Sequence, residues 1–147
     1  MKSTFQSDAR HELLERLDRL TAEHRALWGR MTAPQMVSHL LESMRMALGD
    51  LAVVPKRLPL RYPPIKQLAI YWMPFAKGRP TAPELVARVP AAWSVDVAAL
   101  AETFARFAAR DPNRRWPDHP AFGSMTGRAW ARLTYRHADH HFRQFGV

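Results

Sequence analysis

The chain has 147 residues, 47% of them hydrophobic, and its 22 Lys and Arg against 13 Asp and Glu give a formal net charge of +9. That is the size of one ordinary domain with a real core. The absence of cysteine excludes disulfides, thiolate metal ligands and a protein thiol nucleophile together, so any metal site must be built from His, Asp or Glu.

The first twenty residues break every apolar run with charge, which reads as neither a signal peptide nor a membrane anchor. No stretch reaches the roughly 20 apolar residues that a spanning helix needs. The expectation is a soluble, cytoplasmic protein with no membrane partner. From Ser7 to Leu27, the positions Leu13, Leu14, Leu17, Leu20 and Leu27 recur at helical spacing with charged residues between them. This predicts a first amphipathic helix. Thr32-Ala-Pro-Gln35 reads as a capping box with Pro in the first turn, and Gly49 as a stop, so a second helix is predicted from Ala33 to Leu48.

Leu51 to Pro90 holds most of the 12 prolines. Such density blocks long helices and predicts an extended crossover with at most a short helix at Ile65 to Met73. A third long helix follows, capped by Ser94 or Asp96, with Val97, Leu100, Ala101, Phe104, Phe107 and Ala108 as its stripe and Asp111-Pro112 as its end. A loop precedes the last helix, predicted from Thr126 to Phe145. No pattern asks for a strand. Four amphipathic helices with one long Pro-rich crossover between the second and third predict an all-α, single-domain four-helix bundle over residues 1–147.

Three of the seven histidines lie between His137 and His141. At about 100° per residue, Trp130, Leu133, Thr134, His141 and Gln144 fall within roughly 60° of His137. His137 and His141 are therefore expected inside, with Arg128, Arg132, Arg136, Asp139 and Arg143 on the other side. Imidazoles at i and i+4 stack closely enough to bind one first-row metal ion, although an inward His also serves as an ordinary hydrogen-bonded core residue. His140 flanks the pair as a boundary residue, a supporting partner or an acid/base group. A zinc-protease HExxH pattern is absent, since Ala138 follows His137.

A third ligand must come from elsewhere, and His39 is the candidate on the second helix. It points away from the apolar side of Val37, Leu40, Leu41, Met44 and Leu48, in company with Gln35, Glu42 and Ser43. It is either a solvated His or, if that polar strip lines an internal cavity, a ligand. Glu42 and His140 are the available proton acceptors; Glu42 could instead orient His39 or face solvent. His119 in Asp118-His-Pro-Ala-Phe-Gly123 reads as part of a turn shaped by Pro120 and Gly123, with Phe122 plugging one end of the bundle.

The stretches Leu27–Leu40, Lys77–Leu85 and His119–Val147, with the helical order, resemble the DinB/YfiT-like superfamily of metalloenzymes, in a branch with an HPxFG loop and a terminal HxxHHxxQFG. The resemblance covers nearly the whole chain. It implies a four-helix bundle of DinB/YfiT type and a divalent metal, Zn or Ni, held by residues matching His39, His137 and His141. Members with known chemistry add or move thiol groups, and the resemblance implies a catalytic metal site. An open position on an ion held by three imidazoles can hold water or a thiolate, so the expectation is a metal-dependent hydrolase or thiol transferase. Its substrate would be a small molecule of unknown identity, with a low-molecular-weight thiol as one class. It also implies a homodimer, for which the Ile70–Phe75 segment offers apolar side chains.

Two other readings remain open at this stage. The arginines of the last helix, with Lys56–Lys66 and Arg110–Arg115, could bind nucleic acid or another polyanion by phosphate contacts, although an arginine row opposite a core stripe also serves as a solvated face. A metal-stabilised bundle without turnover is the other.

Overall fold

The computed structural model describes residues 1–77 and 81–147. Gly78–Pro80 of the Lys77–Leu85 motif lie outside the described residues. The described chain is all-helical, with five α-helices, two short 3₁₀ turns and no strand beyond an isolated bridge between His119 and Gly123. No described helix is long and apolar enough to cross a membrane.

Helix α1 spans Ser7–Arg19 and buries Leu13 and Leu17. It stops a full two turns short of the predicted end, and Leu27 is 70% exposed. The cause is local: the His24 ring nitrogen Nδ1 accepts the Thr21 N–H at 3.0 Å. A side-chain turn of this kind competes with the helical ladder. The chain from Leu27 then runs against the C-terminal end of the last helix, where Leu27 N–H donates to the Gln144 carbonyl at 2.7 Å.

Helix α2, Ala33–Leu48, starts at the predicted capping box. Thr32 Oγ1 accepts from Gln35 N–H at 3.3 Å and Gln35 Oε1 accepts from Thr32 N–H at 2.9 Å. Gly49 closes it in the left-handed region at φ +89°. Almost every side chain of α2 from Met36 to Ala47 is buried, on its polar side as well as its apolar side. This corrects the solvated reading of its polar strip, because the helix has protein on both flanks.

The Pro-rich crossover forms 3₁₀ turns at Pro59–Arg61 and Pro83–Leu85 around helix α3, Ile65–Tyr71. Ile70 is buried, while Trp72 is 69% and Met73 51% exposed. Helix α4 spans Trp93–Ala109. Neither Ser94 nor Asp96 caps it. Its N-cap is Ala92, and Asp96 lies inside the first turn, reaching back to accept Ala91 N–H at 3.0 Å. Helix α5, Gly127–Gln144, has Thr126 as N-cap, accepting Ala129 N–H at 3.2 Å. A Cβ at Gly127 would lie 2.4 Å from Trp116 Nε1 and 2.6 Å from the Pro112 carbonyl, so the loop packs directly on the start of α5.

The four long helices form a ring of neighbours: α2 packs on α4 and α5, and α1 completes the ring by packing on both of those. Leu13, Leu17, Leu40, Leu100, Phe104, Phe107, Trp130 and Phe142 fill the space between them. Helix α3 lies against α5, held by Arg136, whose guanidinium donates to the carbonyls of Ala69 at 2.9 Å and Ile70 at 2.5 Å, and also to that of Met73.

Candidate metal centre

Helix α5 carries His137 and His141 one turn apart, and α2 faces it with His39, which is only 3% exposed. The His137 Nε2 atom lies 3.0 Å from His39 Nε2 and 3.1 Å from His141 Nε2. One ligand atom from each of the three lies within 4.8 Å of the others.

The partners behind the rings fix which nitrogen carries the proton. His39 Nδ1 faces the Leu85 carbonyl at 3.3 Å, which can only accept, so Nδ1–H donates and Nε2 presents a lone pair. His141 Nδ1 faces Gln144 Oε1 at 2.8 Å. The amide orientation is set by Gln144 Nε2, which donates to the Trp28 carbonyl at 2.7 Å. His141 Nε2 is thus a lone pair as well. Between them, His137 Nε2 can donate one proton to one neighbour, or present a third lone pair.

Such a donor set could hold a divalent first-row ion. Two nitrogens about 2.0–2.1 Å from one ion at tetrahedral angles lie about 3.3 Å apart, within a few tenths of an ångström of the two separations from His137 Nε2. Burial also keeps the imidazoles neutral, the form that binds metal. It lowers His39 from 6.5 to about 4, against the opposing Leu85 hydrogen bond. Burial, helped by the neighbouring His39, lowers His141 to about 3. His137 is held well below the usual value by burial and then by His141 and His39.

A pH dependence follows for the metal-free protein. With folded pKa values below that of an unfolded imidazole, the unfolded chain takes up protons that the folded one does not. Stability is therefore complete above about pH 6.5 and falls as the pH drops toward 4, by on the order of 3 kcal/mol for His39 alone. Denaturant titrations at about pH 7.5 and about pH 4.5 check this; equal midpoints would contradict it.

The other sequence candidates fall elsewhere. Glu42, 3% exposed, points its carboxylate at Arg45 Nη1 (3.0 Å) and Arg88 Nε (3.1 Å), and is not in the histidine group. Its carboxylate sits in a buried ion-pair network and makes no hydrogen bond to His39. His140 is half-buried, its ring 5.2 Å from that of His141 and 6.0 Å from that of Trp28. Burial lowers its pKa, with Lys77 and Arg143 adding to the effect against Asp139. His119 makes the turn: its Nδ1 accepts from Ala121 N–H at 3.0 Å and Phe122 N–H at 3.3 Å, and its ring packs on Trp130.

Part of the arginine row is engaged by neighbouring backbone and by Asp139. Arg132 donates to the Lys2 carbonyl at 2.8 Å, Arg136 is taken up by α3, and Arg143 is paired with Asp139 at 3.0 Å. Only Arg128 of this group stands exposed without a described partner. Phe75 was not among the sequence candidates, yet it stacks on His137 with ring centroids 5.7 Å apart and planes 16° apart. Leu85, Trp28 and Gln144 were also without assigned roles. Gln144 shares the inward face of α5 in sequence, but its use depends on a carbonyl more than a hundred residues away.

A family model described as "Protein of unknown function (DUF1569)" matches residues 2–146. The chain belongs to that family. No curated protein and no solved structure matches it.

Proposed function

We propose that this DUF1569 chain is a divalent-metal-dependent enzyme, a hydrolase or thiol transferase, on a four-helix bundle of DinB/YfiT type, with Zn or Ni as its ion. The ring of neighbouring long helices supports the bundle, with α3 as an inserted turn of the crossover. One observation carries the function: three imidazoles from facing helices gather, with the Nε2 atoms of His39 and His141 both within 3.1 Å of that of His137, and two of the rings have Nδ1–H already committed. An ion bound by only three neutral imidazoles retains open positions and acts as a Lewis acid, lowering the pKa of a water or thiol.

The chain's own residues then divide the work. His39, His137 and His141 hold; the Leu85 carbonyl and Gln144 orient. His140, half-buried with its ring 5.2 Å from that of His141, is assigned the role of proton acceptor. Phe75 covers the open flank of His137 and limits water there. Met73, exposed on the same crossover, supplies apolar surface for a second copy.

The test is a comparison of zinc-loaded, chelator-treated and His137→Ala protein on two reactions: hydrolysis of an activated ester, and addition of a small thiol to an electrophile. Turnover of either substrate by the loaded protein alone is the expected result. Equal rates in all three samples for both reactions would remove the enzyme reading and leave a metal-stabilised bundle.

A further inference from the structure

Beside the histidine centre lies an open cleft of about 670 Å³, within the range of small-molecule sites. Trp28, Trp72 and Phe75 give it aromatic walls, and Lys2, Lys77, Arg132, Arg136 and Arg143 give it five cationic side chains.

The pairing of those charges is uneven. Of the two carboxylates in the cleft, Glu12 takes Lys2 and the Tyr135 hydroxyl, and Asp139 takes Arg16 at 2.7 Å and Arg143. Lys77, Arg132 and Arg136 have no carboxylate partner among the described residues. Lys77 sits 4.1 Å above the Trp28 ring. Arg132 has a buried Nε with no hydrogen-bond partner. Arg136 donates to the Ala69, Ile70 and Met73 carbonyls and lies over the Phe75 ring, with no carboxylate in contact among the described residues. Like charges gathered in a cleft raise the local concentration of anions.

The cations also border the centre. Arg136 lies 5.4 Å over the Phe75 ring, Phe75 stacks on His137, and His140 bridges Phe75 (5.6 Å) to Trp28 under Lys77. Phe75 and His140 are thus the side chains that join the cleft to His137 and His141.

We propose that this cleft binds an organic anion, a carboxylate or phosphate with an apolar body. Its charged end meets Lys77, Arg132 and Arg136, its body lies against Trp28, Trp72 and Phe75, and it is the substrate class of the histidine centre. Only the last clause rests on the metal-enzyme reading.

Calorimetry on chelator-treated protein tests the subsite without an ion, using benzoate and phenyl phosphate as the two anion probes and benzyl alcohol as the neutral one. Binding of at least one anion is expected, weakening with added salt, with benzyl alcohol at least about tenfold weaker. Lys77→Met should lower the anion affinity roughly tenfold, the loss of one charge-assisted contact, while zinc uptake is unchanged. Arg132→Met gives a second reading of the same charge. The relative strength of the two anions tells carboxylate from phosphate. No binding of either anion, equal binding of benzyl alcohol, or full affinity in both variants would overturn the proposal. Anion binding in protein that takes up no zinc would keep the subsite and remove the metal reading; zinc uptake without anion binding would do the reverse.

Discussion

Arg88→Met is expected to destabilise the protein by about 3–5 kcal/mol, the range for removing one partner of a buried ion pair. Arg88 comes from the crossover and enters between α2 and α4, with Nε 3.1 Å from Glu42 Oε1 and Nη2 2.8 Å from Asp96 Oδ1. Both carboxylates are almost fully buried. Glu42 keeps Arg45 after the change, but Asp96 keeps only the Ala91 N–H, so the cost falls mainly on Asp96. Adding Asp96→Asn should restore a large part of the loss, because the amide oxygen can still accept from Ala91 and no lone charge remains. Denaturant unfolding of the two variants reads this out. A single variant within about 0.5 kcal/mol of wild type, the scale of a surface change, would show that the network is not a clamp.

Gln144→Leu is expected to weaken metal binding about 10–100-fold, the usual cost of removing a partner that orients a ligating His. The variant lets the His141 imidazole turn and lets its Nδ1 become the lone-pair nitrogen, while the three ligands themselves are untouched. Gly29→Ala should act in the same direction from the other side of the amide. A Cβ there would lie 2.6 Å from Gln144 Nε2, on a residue with φ +85°, a backbone that L side chains rarely adopt. Competition titration against a chromophoric chelator measures the affinities. Wild-type affinity in folded Gln144→Leu would show that the Trp28–Gln144–His141 chain of hydrogen bonds does not set the site.

The helices and the paired histidines were legible because their signals are local. A capping box and a glycine stop bound α2, and the i,i+4 spacing put His137 and His141 on the same inward face of α5 as Trp130. What the chain hides is set by tertiary contact. His39 looked half-solvated because a polar strip on one helix does not reveal that protein covers that strip too. Glu42 looked available because Arg88, its partner, lies 46 positions further along in a stretch with no periodicity. The arginines of α5 looked like an outer row because helical phase cannot show that α3 lies on Arg136. Helix α1 was read too long since Leu27 keeps the apolar spacing, while the Thr21–His24 turn that breaks the helix is a single side-chain bond. Phe75 is legible only as part of an apolar segment and Leu85 only as the end of a motif, and neither signal points to the histidines.

The most direct measurement is elemental analysis of untagged protein beside His39→Ala and His137→Ala variants that remain folded by circular dichroism. About one divalent ion per chain, lost in both variants, is the expected result, since each removes a ligand contributed by a different helix. Wild-type protein that holds no metal and takes none up when zinc and nickel are supplied, or variants that both keep a full complement, would contradict the three-histidine centre.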